Sequence, residues 1–205
     1  MIRLFDFIIS FFGLIFLSPI LILLWIIVCF DCRHPLLSQV RVGRYQRTFI
    51  LVKFRTMKLN APSTATHLVK DSFITKLGHF LRRTNMDEIP QLWNVLIGNM
   101  SLVGPRPCLL NQKKLINERK KRGVFKVKPG ITGLAQISGI NMEKPTLLAK
   151  TDLKMIQQMN LFKYFYYILK TLTFILEDNF LIYLDFKIDK FKIKDLVDNF
   201  LNNDF

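Results

Sequence analysis

The first thirty residues contain the feature that most restricts how this chain can fold. No charged residue occurs from Phe7 to Phe30, and a helix of roughly 20 apolar residues is long enough to cross the core of a bilayer. The run is too long for a cleavable signal peptide, and no small-residue cleavage site follows it. We therefore predict a membrane helix within residues 1–33.

Ser18-Pro19 interrupts this run near its middle. Proline inside a helix removes a backbone hydrogen bond and clashes with the preceding turn, so we expect a kink there. Arg3 lies before the run and Arg33 after it, so the flanking positive charges select no orientation. A re-entrant helix that enters and leaves by one membrane face and a straight bitopic anchor both satisfy this pattern.

The whole chain is both apolar and strongly basic. Its 205 residues suffice for one domain with a sizeable core. Hydrophobic residues make up 50% of it, yet 30 Lys and Arg against 15 Asp and Glu give a net charge of +15. This combination favours an anionic membrane surface over nucleic acid as the partner, because a nucleic-acid-binding protein does not need so much apolar content.

A β-hairpin is predicted after the membrane segment. Two runs of β-forming residues, 39–42 and 48–54, flank a short turn at 43–46. The basic residues of this region are interpreted, for the most part, as a solvated rim beside an anionic bilayer; they are Arg41, Arg44, Arg47, Lys53 and Arg55. A polar loop is predicted over 60–66.

An amphipathic helix is predicted from residue 72 onward. One apolar stripe with helical spacing consists of Phe73, Ile74, Leu77, Phe80 and Leu81. Such a helix can pack on a core or lie in the membrane interface. It brings Arg82 and Arg83 close to the acidic pair that follows.

That pair is Asp87-Glu88, just before Pro90. Proline is favoured in the first turn of a helix, so residues 90–96 are predicted to be helical. The free N–H groups at a helix start favour ionised carboxylates and can also bind phosphate. These residues alone also fit an ordinary acidic helix cap. The guanidinium groups of Arg82 and Arg83 nearby can bind anionic oxygens, so a phosphate-binding site is the other interpretation.

Two further segments complete the pattern. Residues 113–128 are basic, start as a predicted helix, and are interpreted as a solvated or lipid-facing face. Residues 127–141 then contain three glycines and a proline within eleven residues. We predict that this segment forms no regular helix and that its backbone packs closely against another group. Because turns require the same residues as phosphate-binding loops, this segment alone is weak evidence of phosphate binding.

Four motifs in a fixed order resemble those of the bacterial sugar transferase family, the monotopic polyprenyl-phosphate phosphoglycosyl transferases. They are Lys53-Phe54-Arg55-Thr56-Met57, Asp87-Glu88-Ile89-Pro90-Gln91-Leu92, Gly104-Pro105-Arg106-Pro107 and Pro129-Gly130-Ile131-Thr132-Gly133. The resemblance covers roughly residues 1–171.

The resemblance implies an α/β, mostly α, fold. Its parts would be a kinked re-entrant membrane helix over 1–33 with its break at Ser18-Pro19, and a catalytic domain over 34–176. That domain would carry a β-hairpin and interfacial amphipathic helices and lie on the cytoplasmic face of the bacterial inner membrane. Residues 177–205 would form a tail beyond the resemblance, for which residues 186–194 predict a short strand.

The resemblance also implies a reaction. A sugar 1-phosphate would move from a UDP-sugar to polyprenyl (undecaprenyl) phosphate, and UMP would leave. Asp87 would be the nucleophile and Glu88 a ligand of Mg²⁺. Membrane lipids would be partners, nucleic acid would not, and homo-oligomers remain open.

Substrate-binding residues follow from the same motifs. They are predicted to be Lys53, Arg55, Arg82, Arg106, Lys128, Thr132, Gln136 and Asn141. Lys128 and Ile140 stand where many relatives have arginine. We expect these two differences to affect which sugar donor is bound rather than the reaction itself. A catalytically silent membrane-surface adaptor with the same fold is the alternative function.

Overall fold

The computed structural model of the chain describes residues 1–59, 61 and 73–173. The predicted loop at 60–66, apart from residue 61, and the tail at 177–205 lie outside these residues. The helices are α1 (Ile2–Cys32), α2 (Lys76–Arg83), α3 (Gln91–Leu96), α4 (Lys113–Lys121), α5 (Leu134–Ile137), α6 (Pro145–Gln157) and α7 (helical over 161–173). The strands are β1 (Leu36–Val42), β2 (Thr48–Phe54), β3 (Ser101–Val103) and β4 (Gly130–Thr132). The fold is therefore mostly helical, as predicted, with two small sheets.

Helix α1 is the long apolar element that the sequence predicts. Among the described residues it is the one helix long and apolar enough to cross a membrane by length and composition, and 11% of its most apolar window is buried. Helical structure continues through Pro19, and the Ser18 hydroxyl donates to the carbonyl of Ile15 at 2.7 Å. A bend at this position stays a prediction.

The N-terminal end of α1 is attached to the globular part by Asp6. Its carboxylate is 2% exposed. One of its oxygens accepts hydrogen bonds from the Ser101 hydroxyl at 2.9 Å, the Leu102 N–H at 2.9 Å and the Tyr164 hydroxyl at 2.8 Å. Because buried carboxylates are costly unless hydrogen-bonded, these donors fix α1 against β3 and α7.

The C-terminal end of α1 also contacts the globular part. Leu24, Val28 and Cys32 pack with Phe54 of β2 and Leu81 of α2 in one buried cluster. Leu77 of α2 packs against this cluster, whereas Phe80 is 52% exposed. The apolar stripe of α2 is therefore divided between the core and the surface.

The predicted hairpin is confirmed. β1 and β2 are antiparallel, with Leu36 opposite Phe54 and Val42 opposite Thr48. The connecting turn contains a 3₁₀ turn, Arg44–Gln46, and both Tyr45 and Gln46 have positive φ. β1 begins three residues earlier than the sequence predicts.

β3 and β4 form the second sheet as a parallel pair. Their backbones approach so closely beyond β3 that a Cβ on Gly130 would stand 2.0 Å from the Gly104 nitrogen. The glycine at position 130 is thus required by strand pairing. The prediction of irregular backbone after it is wrong over Leu134–Ile137, which form the short helix α5.

A buried ion pair joins α4 to α6. Arg119 is 2% exposed, and its Nε donates to Asp152 Oδ2 at 2.9 Å. Its Nη1 donates to the carbonyl of Arg106 at 2.7 Å. The interpretation of residues 113–128 as a solvated face is therefore wrong for Arg119, although the helical start is confirmed by α4.

Candidate active site

The acidic pair lies in a 3₁₀ turn, Met86–Glu88, directly before α3. Asn85 initiates this turn with φ 55°, a left-handed conformation that asparagine adopts more readily than most residues. Pro90 precedes the first residue of α3, in agreement with the predicted helix start. The turn presents both carboxylates to a cavity of about 380 Å³, here called the first cavity.

Cations from four separate parts of the chain line this cavity. β1 supplies Arg41, β2 supplies Lys53, α2 supplies Arg82, and the segment after β3 supplies Arg106. The remaining lining residues are uncharged; they are Asn85, Leu109, Gln112, Gln136, Ile140, Asn141, Met142 and Leu148. The charged residues interact with one another and form a cluster suited to a diphosphate, here called the charged end of the cavity, while the uncharged residues suit a neutral group.

Asp87 is the most buried member of the charged end, at 4% exposed. Lys53 Nζ lies 4.0 Å from its Oδ2, which is an ion pair but too long for a hydrogen bond. Burial, and then the neighbouring charge of Glu88, raise the pKa of Asp87 to about 6 against the opposing effect of Lys53. Burial also lowers the pKa of Lys53, which the two carboxylates counteract.

Glu88 forms an ion pair and hydrogen bond with Arg106. The Arg106 side chain is 47% exposed, so solvent can reach the pair. The backbone carbonyl of Arg106 accepts a hydrogen bond from Arg119 Nη1, and Arg119 is itself paired with Asp152. Arg106 is therefore fixed at its backbone while its guanidinium faces the cavity.

Arg82 and Gln136 are predicted residues that the structure brings to the cavity. Arg82 Nε donates to the Thr56 hydroxyl at 2.8 Å. Gln136 Nε2 donates to the Gly104 carbonyl at 3.3 Å, and its buried Oε1 has no hydrogen-bond partner among the described residues. Asn141 also lines the cavity.

Three predicted substrate-binding residues lie away from the first cavity. Arg55 donates to the carbonyls of His34 and Leu36 at the base of the hairpin, at 3.0 and 3.4 Å. The Thr132 hydroxyl lies 2.5 Å from that of Thr171 in α7. Lys128 lines a different cavity, described below. Arg55 follows the end of β2, Thr132 ends β4 and Lys128 lies in the loop before β4, and none of these three residues lines the first cavity.

Arg41 is a site residue that the sequence interpretation missed by assigning it to the solvated rim. It donates to the Pro107 carbonyl at 3.2 Å and to Gln39 Oε1 at 2.5 Å. Burial, and then Arg106, lower its pKa to about 10. Strand alternation was a usable signal, because the predicted hairpin places Arg41 and Lys53 on the same face.

Comparison with known proteins agrees with the motifs. The bacterial sugar transferase family profile matches residues 1–178. The uncharacterized sugar transferase EpsL of Bacillus subtilis is 42% identical over 140 residues, which are 68% of this chain and 69% of that protein. The undecaprenyl-phosphate galactose phosphotransferase of Salmonella typhimurium is 37% identical over 156 residues, 68% of this chain and 33% of that protein.

A third relative is the UDP-glucose:undecaprenyl-phosphate glucose-1-phosphate transferase of Klebsiella pneumoniae. It is 42% identical over 152 residues, 71% of this chain and 32% of that protein. The matched part of this chain thus spans about a third of the length of the Salmonella and Klebsiella relatives. From the match over residues 1–178, we conclude that the chain belongs to the bacterial sugar transferase family.

Proposed function

We propose that this chain transfers a sugar 1-phosphate from a UDP-sugar to polyprenyl (undecaprenyl) phosphate through a covalent intermediate on Asp87, with release of UMP. The names of the Salmonella and Klebsiella relatives describe transfers of this type. The reaction would be the first membrane step in the synthesis of a polysaccharide or glycoconjugate.

The observation that carries the proposal is the environment of Asp87. A carboxylate that is 4% exposed lies on a cavity whose charged end contains Lys53, Arg82 and Arg106. A pKa of about 6 leaves it mostly ionised at neutral pH and more basic than an ordinary aspartate. A basic carboxylate without a tight hydrogen-bond donor is suited to nucleophilic attack.

In the first step an oxygen of Asp87 attacks the β-phosphorus of the UDP-sugar. A bond forms between that oxygen and phosphorus, and the bond from the β-phosphorus to the bridging oxygen breaks. UMP leaves with the electron pair, and Asp87 carries the sugar phosphate. Lys53, Arg82 and Arg106 stabilise the charge on the phosphate oxygens by position and electrostatics.

In the second step a phosphate oxygen of the polyprenyl phosphate attacks the same phosphorus. The bond from phosphorus to Asp87 breaks, so the free carboxylate is restored and the lipid carries a diphosphate-linked sugar. The division into two steps lets a water-soluble donor and a lipid acceptor use one nucleophile in turn. No further reactant is required.

Glu88 is the residue that would hold Mg²⁺. Within the described part of the chain no group of three or more His, Cys, Asp or Glu forms a metal cage. Mg²⁺ is commonly bound by one or two carboxylates together with substrate phosphates, so this donor set fits it. When bound, the ion supplies positive charge that neutralises the diphosphate.

A re-entrant position of α1 in the inner membrane is part of the proposal. A straight helix of 31 residues is roughly 46 Å long, so a bitopic span would separate its ends on opposite membrane faces. Asp6 near one end and Cys32 at the other both contact the same globular part. This supports placing both ends on one face, with the globular part on the cytoplasmic side.

The test is UMP release from a panel of UDP-sugars in the presence of Mg²⁺ and undecaprenyl phosphate. Asp87→Asn should abolish release, whereas Asp31→Asn, at an exposed carboxylate, should keep it. Undiminished release by Asp87→Asn would refute the mechanism. A wild-type chain that is silent with every donor would favour the adaptor function.

A further inference from the structure

A second cavity of about 260 Å³ is bordered by Gly104 and Pro105. Its cationic side chains are Arg3, Arg44, Lys126 and Lys128. Its apolar side chains include Ile2, Met155, Ile156 and Met159. Neither Asp87 nor Glu88 lines it. The second cavity therefore combines positive charge with an apolar wall, apart from the proposed chemistry.

The positive charges of this cavity lie close together. Arg3 Nη2 and Lys128 Nζ are 3.1 and 3.4 Å from the position that a Cβ of Gly98 would occupy. The Arg3 guanidinium is fixed there because it donates to the carbonyls of Val95 and Leu96, at 2.5 and 2.7 Å. Burial, and then Arg3, lower the pKa of Lys128.

These four cations are only partly balanced by carboxylates. Asp6 is the acidic residue that lines the cavity, and its charge raises the pKa of Lys128 against the effects of burial and of Arg3. Among the described residues, the ammonium groups of Lys126 and Lys128 have no hydrogen-bond or ion-pair partner. A group of cations with this geometry attracts an anion strongly, because ammonium and guanidinium groups both bind phosphate oxygens.

The cavity also lies where lipid headgroups are expected. Ile2 and Arg3 begin α1, and the uncharged run starts at Phe7, little more than one helical turn later. The membrane–water boundary at this end of α1 is therefore close to Arg3. An apolar wall of Met155, Ile156 and Met159 beside the cations can accommodate the first carbons of an acyl chain.

We propose that the second cavity binds the phosphate of one anionic phospholipid, with its acyl chains directed along the apolar wall. This site would fix the globular part at a set depth and orientation on an anionic membrane. The inference rests on the membrane association proposed above and does not depend on the transfer reaction.

The test is native mass spectrometry of the full chain in a neutral detergent with added phosphatidylglycerol or phosphatidylcholine. We expect one bound phosphatidylglycerol and weaker binding of phosphatidylcholine. The double substitution Lys126→Gln/Lys128→Gln should weaken phosphatidylglycerol binding about tenfold or more. It removes two positive charges, and each Lys or Arg near an anionic lipid adds to the free energy of binding. The matched control is Lys113→Gln/Lys114→Gln, an exposed lysine pair of α4 that removes the same charge elsewhere.

Three further arms make the result decisive. Lys126→Gln alone, at an exposed side chain, should fold normally and still lower the affinity. Excess inorganic phosphate should not displace the lipid; if it does, the cavity is a free-phosphate site and the lipid assignment is wrong. Asp87→Asn should bind the lipid normally, so failure of the reaction and failure of this site can be told apart. Equal binding of both lipids, or an equal loss in the control pair, would overturn the proposal.

Discussion

Replacing Asp87 by asparagine should stabilise the fold while it abolishes activity, and the stabilisation should depend on pH. In the folded state burial and Glu88 raise the pKa of Asp87 from 3.8 to about 6. Each pKa unit corresponds to about 1.36 kcal/mol, so the penalty of ionising this side chain reaches at most about 3 kcal/mol.

The direction of the pH effect follows from proton linkage. The folded state binds the proton of Asp87 more tightly than the unfolded chain does, so wild-type stability falls as the pH rises from about 4 to about 6 and stays lower above that. Asparagine cannot ionise and escapes this loss. The advantage of the variant should therefore grow across this window, by about 6–12 °C in Tm at the upper limit.

The assay is thermal unfolding in neutral detergent, monitored by tryptophan fluorescence at several pH values between 4.5 and 7.5. Asp31→Asn, at an exposed carboxylate, should follow the wild type throughout. A Tm difference between Asp87→Asn and wild type that is constant with pH, or that shrinks as the pH rises, would refute the reasoning about burial.

Three other substitutions test the supports of the site. Asp152→Asn should lower the free energy of unfolding by about 3–5 kcal/mol and reduce UMP release, because it leaves Arg119 charged and buried beneath the Arg106 backbone. Tyr164→Phe should cost about 1.5–3 kcal/mol, since it removes one donor to the buried Asp6 carboxylate. Gly130→Ala should disrupt β3 and β4 and lower Tm sharply, because its Cβ would overlap backbone atoms at 2.0 Å.

Each substitution has a matched control. Glu118→Gln removes the partner of Arg122 in a surface ion pair and should change stability little, because exposed ion pairs contribute little. Tyr166→Phe changes a tyrosine that is 47% exposed, and Gly13→Ala meets only a Leu92 methyl group at 3.3 Å. If a control lowers Tm as much as its test variant, the structural reason given for that variant is wrong.

The parts of the fold that the sequence predicted are those set by local chemistry. The hairpin follows from alternation around a turn, and the start of α3 follows from Pro90 and the acidic pair. The sequence motifs also placed Asp87, Glu88 and Arg106 in one site, and the structure brings these three together at the first cavity. Their roles as nucleophile, metal ligand and phosphate clamp stay predictions.

The parts that were missed depend on contacts between distant segments. Arg119 lies in the same basic segment as the exposed lysines of α4, and only its packing against α6 shows that it is buried with Asp152. The direction of the Lys128 side chain could likewise not be predicted from the local sequence. Lys128 directly precedes the Pro129–Gly133 motif, from which a place in the substrate site was predicted, but its side chain lines the second cavity. The burial of Arg119 and the direction of Lys128 are determined by tertiary packing.

The covalent intermediate is tested most directly with UDP-sugar labelled with ³²P at the β-phosphate, added to the full chain without an acceptor lipid. The account predicts that label becomes attached to the protein, on a peptide containing Asp87, and that it leaves when undecaprenyl phosphate is added. Label at the α-phosphate should remain with UMP. Transfer to undecaprenyl phosphate without any labelled protein, or label on a peptide that lacks Asp87, would contradict the account.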